Sequence, residues 1–226
     1  GTADASTVQF DYDANGNRLS GPGVEAGVYD AQDRMLTYGG NSYAYTANGE
    51  LTAKTNGGET TTYTYDEPGN LVAAELPSGD RIEYVIDGEQ RRVGKKVNGA
   101  LLQGWLYDGS LAIVAELDGS GALVSRFVYA TGVNVPDYLV QDGVIYRIIT
   151  DHLGSLRLVV RASDGHVVQR MNHDEFGRVT EDFVEAGFIR VPFGFAGGLY
   201  DQDTALVRFG ARDYDAESGR WTAKDP

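Results

Sequence analysis

Tyr12-Asp13-Ala14-Asn15-Gly16-Asn17-Arg18-Leu19 decides the fold, because the stretch returns along the chain. It recurs as Tyr29-Asp30-Ala31-Gln32-Asp33-Arg34-Met35-Leu36, as Tyr45-Thr46-Ala47-Asn48-Gly49-Glu50-Leu51 and as Tyr65-Asp66-Glu67-Pro68-Gly69-Asn70-Leu71. A worn fifth copy runs from Tyr84 through Asp87-Gly88-Glu89-Gln90-Arg91-Arg92-Val93. The anchoring tyrosines stand 17, 16, 20 and 19 residues apart, an interval too short for two helices and suited to one β-hairpin per unit.

Each unit reads as strand, turn, strand. Nine Asn-Gly or Asp-Gly dipeptides occur, at Asn15, Asn48, Asn56, Asp87, Asn98, Asp108, Asp118, Asp142 and Asp164. Such dipeptides supply the positive φ angles of two-residue primed turns, and the flanking Tyr, Val, Thr and Leu favour a pleated surface. Ile82, Tyr84 and Ile86 alternate with Arg81, Glu83 and Val85 at the strand period. A Gly or an Asn-Gly pair interrupts nearly every window that could carry a helix. The repeated tyrosines are read as packing on the neighbouring unit and the repeated aspartates as bonding turn amides. The expectation is an all-β meander of hairpins with very little helix.

From about Gly104 the strands lengthen, with candidates at 105–107, 112–116, 122–129, 144–150, 155–161 and 166–172. The expected organisation is residues 1–103 as repeat hairpins and 104–226 as a second type of repeat, in one continuous sheet without a linker.

Composition narrows the function. The 226 residues carry 33 acidic against 19 basic side chains, a net charge of -14, which argues against nucleic acid or an anionic membrane as partner. With no cysteine, thiolate catalysis, disulfides and Cys-based zinc sites are excluded. No apolar run approaches the roughly 18 residues of a membrane span. The first twenty residues hold one cation, Arg18, and no export-signal core. His166 and His173 lack ligand spacing, so neither a metal nor a cofactor is expected. Asp151-His152-Leu153-Gly154-Ser155 lists triad residue types, but triads are assembled from distant segments, and the run reads as a capped hairpin turn.

These units resemble YD repeats, the hallmark of the rearrangement-hotspot (Rhs) family and of its relatives among toxin-complex C components and teneurins. The carboxy-terminal half resembles the Rhs repeat-associated core. The matching runs are 146–157 with its Asp-His-Leu-Gly-Ser block, Asp174-Glu175-Phe176-Gly177-Arg178, 193–201, and above all 206–215 followed by Gly219-Arg220-Trp221-Thr222-Ala223-Lys224-Asp225-Pro226. The resemblance implies a β-sheet strip that spirals into a hollow shell. It also implies a carboxy-terminal toxin cargo inside and a core domain that severs the cargo as an aspartic autoprotease.

Asp213 and Asp225 are the implied catalytic carboxylates, with Arg212 orienting the pair or the oxyanion. They lie 12 residues apart, and the turn residues Ala216-Glu217-Ser218-Gly219 between them offer a chain reversal. Two carboxylates within reach share a proton, giving a base for water and an acid for the scissile carbonyl. Trp221 and Tyr214 are expected to pack around the site. The implied scissile bond lies beyond Pro226, so the chain as given is expected to be an inert piece of a longer bacterial, secreted or surface-delivered protein. Its expected partners are its own cargo, the remaining shell repeats and secretion-system or toxin-complex components. Self-association through open strand edges is a further expectation. The alternative is a non-enzymatic extracellular YD-repeat scaffold, in the teneurin manner, that binds a protein or glycan.

Overall fold

The computed structural model describes residues 7–22, 26–132 and 134–225. Every regular element among them is a strand except one 3-10 turn at Phe195–Gly197. Sixteen strands from Val28–Tyr29 to Val179–Val184 pair antiparallel in chain order, leaving these two as the open edges. A two-stranded ribbon, Asp11–Tyr12 with Arg18–Ser20, and a four-stranded antiparallel sheet from Leu199–Asp201 to Arg220–Trp221 complete the fold. The all-β meander read from the repeats is therefore the architecture of the chain. Compact units form at 1–63 and 64–226, and each is described separately below.

In the first unit the repeat chemistry is bare. Asp13 Oδ1 accepts the backbone N–H of Asn15 and Asn17 at 2.9 and 2.8 Å, and Asp30 repeats this with Gln32 and Arg34. At the third copy Thr46 Oγ1 takes the place of the carboxylate and accepts from Gly49 and Glu50. The tyrosines then tie unit to unit. Tyr29 donates its hydroxyl hydrogen to the carbonyl of Arg18, and Tyr45 donates to that of Met35, in each case the residue following the previous turn. A repeated Tyr-Asp thus closes its own turn with the acid and its neighbour's strand with the phenol.

The turns differ from the expected primed type at most of the Asn-Gly and Asp-Gly sites. At Asp13 the loop is longer: Asp13 N–H bonds Asn17 C=O, Gly16 N–H bonds Asp13 C=O, and of the loop residues only Gly16 has positive φ, at 82°. This is the three-residue loop with a glycine bulge, which twists the strand and shifts its register. Asn98-Gly99 and Asp142-Gly143 do make two-residue primed turns, with both φ values positive, and so do the glycine pairs Gly39-Gly40 and Gly57-Gly58. Bulged loops stand at the Tyr-Asp end of the hairpins; the other end takes tight turns at 39–40, 57–58 and 98–99 but a further bulged loop at 76–80, where Leu76 N–H bonds Asp80 C=O and Gly79 has φ of 91°. Where the second and fifth copies place Asp33 and Gln90 at the bulge position, those residues carry φ of 58° and 62°, a conformation that glycine adopts at the least cost.

In the second unit Tyr107 and Tyr129 do the same, donating to Arg92 C=O and Ile113 C=O, whereas Tyr84 of the fifth copy donates to Asp201 Oδ2 instead. The Asp-His-Leu-Gly-Ser block is the capped turn expected: Asp151 Oδ1 accepts from Leu153 and Ser155, and Ser155 Oγ accepts from Ala196 N–H. The strands Tyr138–Gln141 and Val179–Val184 were not foreseen. One sheet face carries an apolar core that includes Trp105, Phe127, Leu139, Ile148, Leu156 and Val159. A strap over residues 188–193 covers part of it, with Phe188 edge-on to Tyr146 at 5.0 Å and Phe193 edge-on to Phe127 at 5.1 Å.

Buried polar groups interrupt this core: Glu116, Ser125, Gln141 and Gln169 are each at most 4% exposed. Burial raises the Glu116 carboxyl from 4.5 to about 7, against a hydrogen bond from Gln103 that favours its charge. The folded state therefore prefers the protonated acid, so this group's contribution to stability is complete below its ordinary value and drains away as pH rises to the folded value. The difference between the two values corresponds to about 3 kcal/mol. Glu116→Gln is expected to stabilise the chain at pH 8 by up to about that amount and by a small fraction of it at pH 5. Urea unfolding at the two pH values measures this, and an equal gain at both would show that ionisation is not the cause.

Candidate functional site

The four-stranded sheet positions the three residues singled out in the terminal run. Arg212–Asp215 pairs with Arg220–Trp221, with Tyr214 opposite Trp221 and Asp215 opposite Arg220. The intervening Ala216-Glu217-Ser218-Gly219 makes the expected reversal, closed by Gly219 N–H to Asp215 C=O. Successive residues of a strand face opposite ways, so Arg212 and Asp213 point to opposite sides of the sheet.

Arg212 lies over the Trp221 ring at 4.1 Å and pairs with Asp225 at 3.0 Å. The Asp225 side chain is 78% exposed, so this pair is a surface contact. Asp213 is 1% exposed and faces two guanidinium groups, Arg92 Nη2 on Oδ1 at 2.8 Å and Arg208 Nη1 on Oδ2 at 2.9 Å. The fold thus brings Arg212 to Asp225 and gives each oxygen of Asp213 its own cationic donor. Tyr214 and Trp221 pack beside the site, 5.5 Å apart, and Tyr214 donates to Phe176 C=O.

Asp213 belongs to a wider buried network. Arg208 Nη2 also donates to Asn70 Oδ1 and to Gln90 C=O, and Arg92 stacks at 3.4 Å over the Tyr84 ring. The Tyr84 hydroxyl donates to Asp201 Oδ2, and Lys95 bridges Asp201 at 2.7 Å and Asp203 at 2.5 Å. Burial pushes the Asp201 carboxyl up, and the Lys95 ammonium with its hydrogen bond overrides that and holds it below the ordinary range. Burial likewise opposes the charge on Arg92, and Asp213 together with Tyr84 and Asp201 more than restores it. Asp201 therefore stabilises the fold fully above its ordinary value, and that contribution is lost as pH falls.

Sequence reading placed Tyr84 and Arg92 in the fifth repeat and Asp201 at the end of a matching run, but assigned none of them, nor Lys95, to a site. A signal for Arg92 was present: the residue after the turn is Met35, Leu51 and Leu71 in three copies, all buried, and Arg92 holds that same core position at 1% exposure. A guanidinium at an apolar register position demands a partner from elsewhere in the chain.

The ion pairs should separate by burial. Asp213→Asn leaves Arg92 and Arg208 facing each other without a counter-charge and is expected to cost about 3–5 kcal/mol. Asp225→Asn loses one exposed contact and should change stability by less than about 1 kcal/mol. Urea titration of the two variants at pH 7 measures the difference, and equal effects would show that the buried cluster carries no special weight.

Comparison with known proteins follows the same outline. The Teneurin YD-shell family model matches residues 2–226. Teneurin-3 of Danio rerio is 30% identical over 96% of the chain and Teneurin-1 of Gallus gallus 31% identical over 97%. The tRNA3(Ser)-specific nuclease WapA of Bacillus spizizenii is 25% identical over 99% of the chain. The chain spans 8% of the length of the two teneurins and 10% of the nuclease. Among solved structures, TcdB2-TccC3-TEV superposes with a TM-score of 0.51 at 16% identity, covering 97% of this chain and 16% of that one. The Tc holotoxin pore of Photorhabdus luminescens gives 0.50 at 16% identity, over 97% of this chain and 15% of that one. With repeat register, fold and family profile in agreement, the chain belongs to the teneurin YD-shell family.

Proposed function

We propose that the chain is a wall segment of a hollow β-shell, secreted or surface-delivered by a bacterium, that encloses a carboxy-terminal toxin cargo of its own parent protein. The observation that carries the reading is the pairing of sixteen strands strictly in chain order, each repeat closing on the one before. Such a strip can be lengthened without limit and wound around a content, with its remaining edges paired by further repeats of the same parent. The relative named as a tRNA nuclease supports a cargo that is toxic when released. Residues 1–103 serve as repeat wall and 104–226 as the core region that plugs it.

Release of the cargo is assigned to Asp213 and Asp225, with Arg212 as the orienting group. In that reaction one carboxylate takes a proton from water as the oxygen attacks the scissile carbonyl and the other acid protonates the carbonyl oxygen; the tetrahedral intermediate then collapses, the C–N bond breaks and the first carboxyl hands its proton to the leaving amine. The geometry sets a condition on it: Asp225 has to leave Arg212, and Asp213 has to exchange a guanidinium donor for the reacting groups. A version of the chain extended beyond Pro226 by its parent's sequence is expected to be cut into two pieces. Asp213→Asn and Asp225→Asn should each abolish the cut, as followed on a denaturing gel. Cleavage that persists in both variants removes the protease assignment.

A second reading is favoured by the occupied oxygens of Asp213 and by the teneurin relatives. In it the chain is a non-enzymatic extracellular scaffold that presents its surface to a protein or glycan. It predicts an extended version that stays intact at all pH values and a chain that binds glycans or a receptor ectodomain on an array.

A further inference from the structure

His173 ends the strand Val167–His173, and both of its ring nitrogens are enclosed without a hydrogen-bond partner among the described residues. The ring lies instead against Phe195, with centroids 5.9 Å apart. A neutral imidazole leaves one N–H and one lone pair unmet in this place. An imidazolium would leave two N–H groups and a charge unmet, so the same enclosure opposes it more strongly.

Phe195 is wedged on two further sides. It lies on the bare backbone of Gly177, where a Cβ atom would come within 2.3 Å of the ring. It also stacks on Tyr214, with centroids 6.1 Å apart and planes 19° from parallel. Tyr214 in turn donates its hydroxyl hydrogen to Phe176 C=O at 2.9 Å. Phe176 and Gly177 belong to the turn between Val167–His173 and the edge strand Val179–Val184, a turn closed by Asp174 Oδ1 on the amides of Phe176 and Arg178. Tyr214 belongs to the four-stranded sheet. His173, Gly177, Phe195 and Tyr214 therefore make one stack that fastens the last hairpin of the long sheet to the small sheet. Ala196 N–H on Ser155 Oγ at 3.0 Å pins the backbone next to Phe195, so a moving His173 changes ring contacts and leaves that anchor in place.

Charged groups from each neighbouring element bear on the ring. Burial and the Arg157 guanidinium, on Leu156–Arg161, oppose a charge on it, while Asp151, Asp174 and Asp182 favour one. Burial is the largest effect, and it holds the imidazole below its ordinary 6.5. Neutral His173 therefore supports the stack fully above 6.5, and that support is lost as pH falls through 6.5 toward the lower folded value. None of the three carboxylates bonds the ring where it lies, so a charged ring gains a partner only by moving.

We propose that His173 is a proton-operated latch: once protonated, its ring leaves Phe195 and frees the hairpin 173–184 from the small sheet. The latch stands at one open edge of the sixteen-stranded sheet, so mild acid loosens that edge and spares the strands behind it. No other core group imitates it between pH 7 and 5. Glu116 acts in the opposite direction, and Asp201 keeps its charge until below the ordinary carboxylate range. The latch works the same way in a shell wall and in a binding scaffold.

Two measurements test it. In the unaltered protein, an NMR titration from pH 8 to 5 follows the ring signals of His173, Phe195 and Tyr214. The expected result is a His173 midpoint below 6.5, with the Phe195 and Tyr214 signals moving at that same midpoint. Hydrogen exchange at pH 7 and 5, corrected for its intrinsic pH dependence, should show the amides of 174–184 losing protection several-fold at pH 5 relative to those of Leu123–Val128. His173→Leu should keep the relative protection equal at the two pH values. A midpoint at or above 6.5, Phe195 and Tyr214 signals that stay still, unchanged protection at pH 5, or a loss that persists in His173→Leu overturns the latch. The titration needs no variant, so it decides the matter even if His173→Leu fails to fold.

Discussion

The contact between Arg92 and Asp213 joins residues 121 positions apart, and the second unit depends on it. The strand that carries Arg92 belongs to the repeats, and the strand that carries Asp213 belongs to the four-stranded sheet. Neither group is tolerable in the interior alone, because an unpaired buried charge costs several kcal/mol. Together with Arg208 they form a cluster of two cations and one anion, and Tyr84, Lys95, Asp201 and Asn70 extend it. The small sheet is thus seated by directional polar contacts as well as by apolar packing. Such an arrangement adds little net stability over an apolar one, but it tolerates only one seating, since any slip strands a charge.

The repeats solve a different problem with the same economy. A long antiparallel sheet with tight turns has to keep its register through many strands, and a slip of one residue would turn each side chain to the wrong face. The Tyr-Asp pair prevents this locally. The acid caps its own turn through two amides, and the phenol reaches back to a fixed carbonyl of the preceding unit. The bulge after the acid adds twist at the Tyr-Asp end of the hairpins, while the tight glycine turns at 39–40 and 57–58 do not.

Ionisable groups in the core pull in opposite directions. Asp201 favours neutral and alkaline pH because Lys95 prefers its charged form, and Glu116 favours acid because burial disfavours its charge. The first is matched to its site within the chain. The second keeps one oxygen without a hydrogen-bond partner among the described residues, which adds to the cost of burying its charge.

Much of the fold was legible because its causes are local. Period-two alternation, the spacing of Tyr-Asp units and the turn dipeptides each act within a few residues, so the hairpins, the Asp151 cap and the reversal at 216–219 could be read in order. The turn type was misread at most dipeptides because Asn-Gly serves both a primed turn and a bulged loop, and only the strand partners decide between them. Tyr138–Gln141 escaped notice because four residues carry too little alternation to stand out. Of the site, Arg212, Asp213 and Asp225 could be named from their motif, but their partners could not. By itself the sequence determined a repeating antiparallel sheet and the residues that close each turn, since those bonds span at most one unit. The tertiary structure alone decided that Asp213 faces Arg92 and Arg208 and that Asp225 faces Arg212. Those contacts depend on which sheet face is covered and by what, and that is set by packing between distant segments rather than by spacing along the chain.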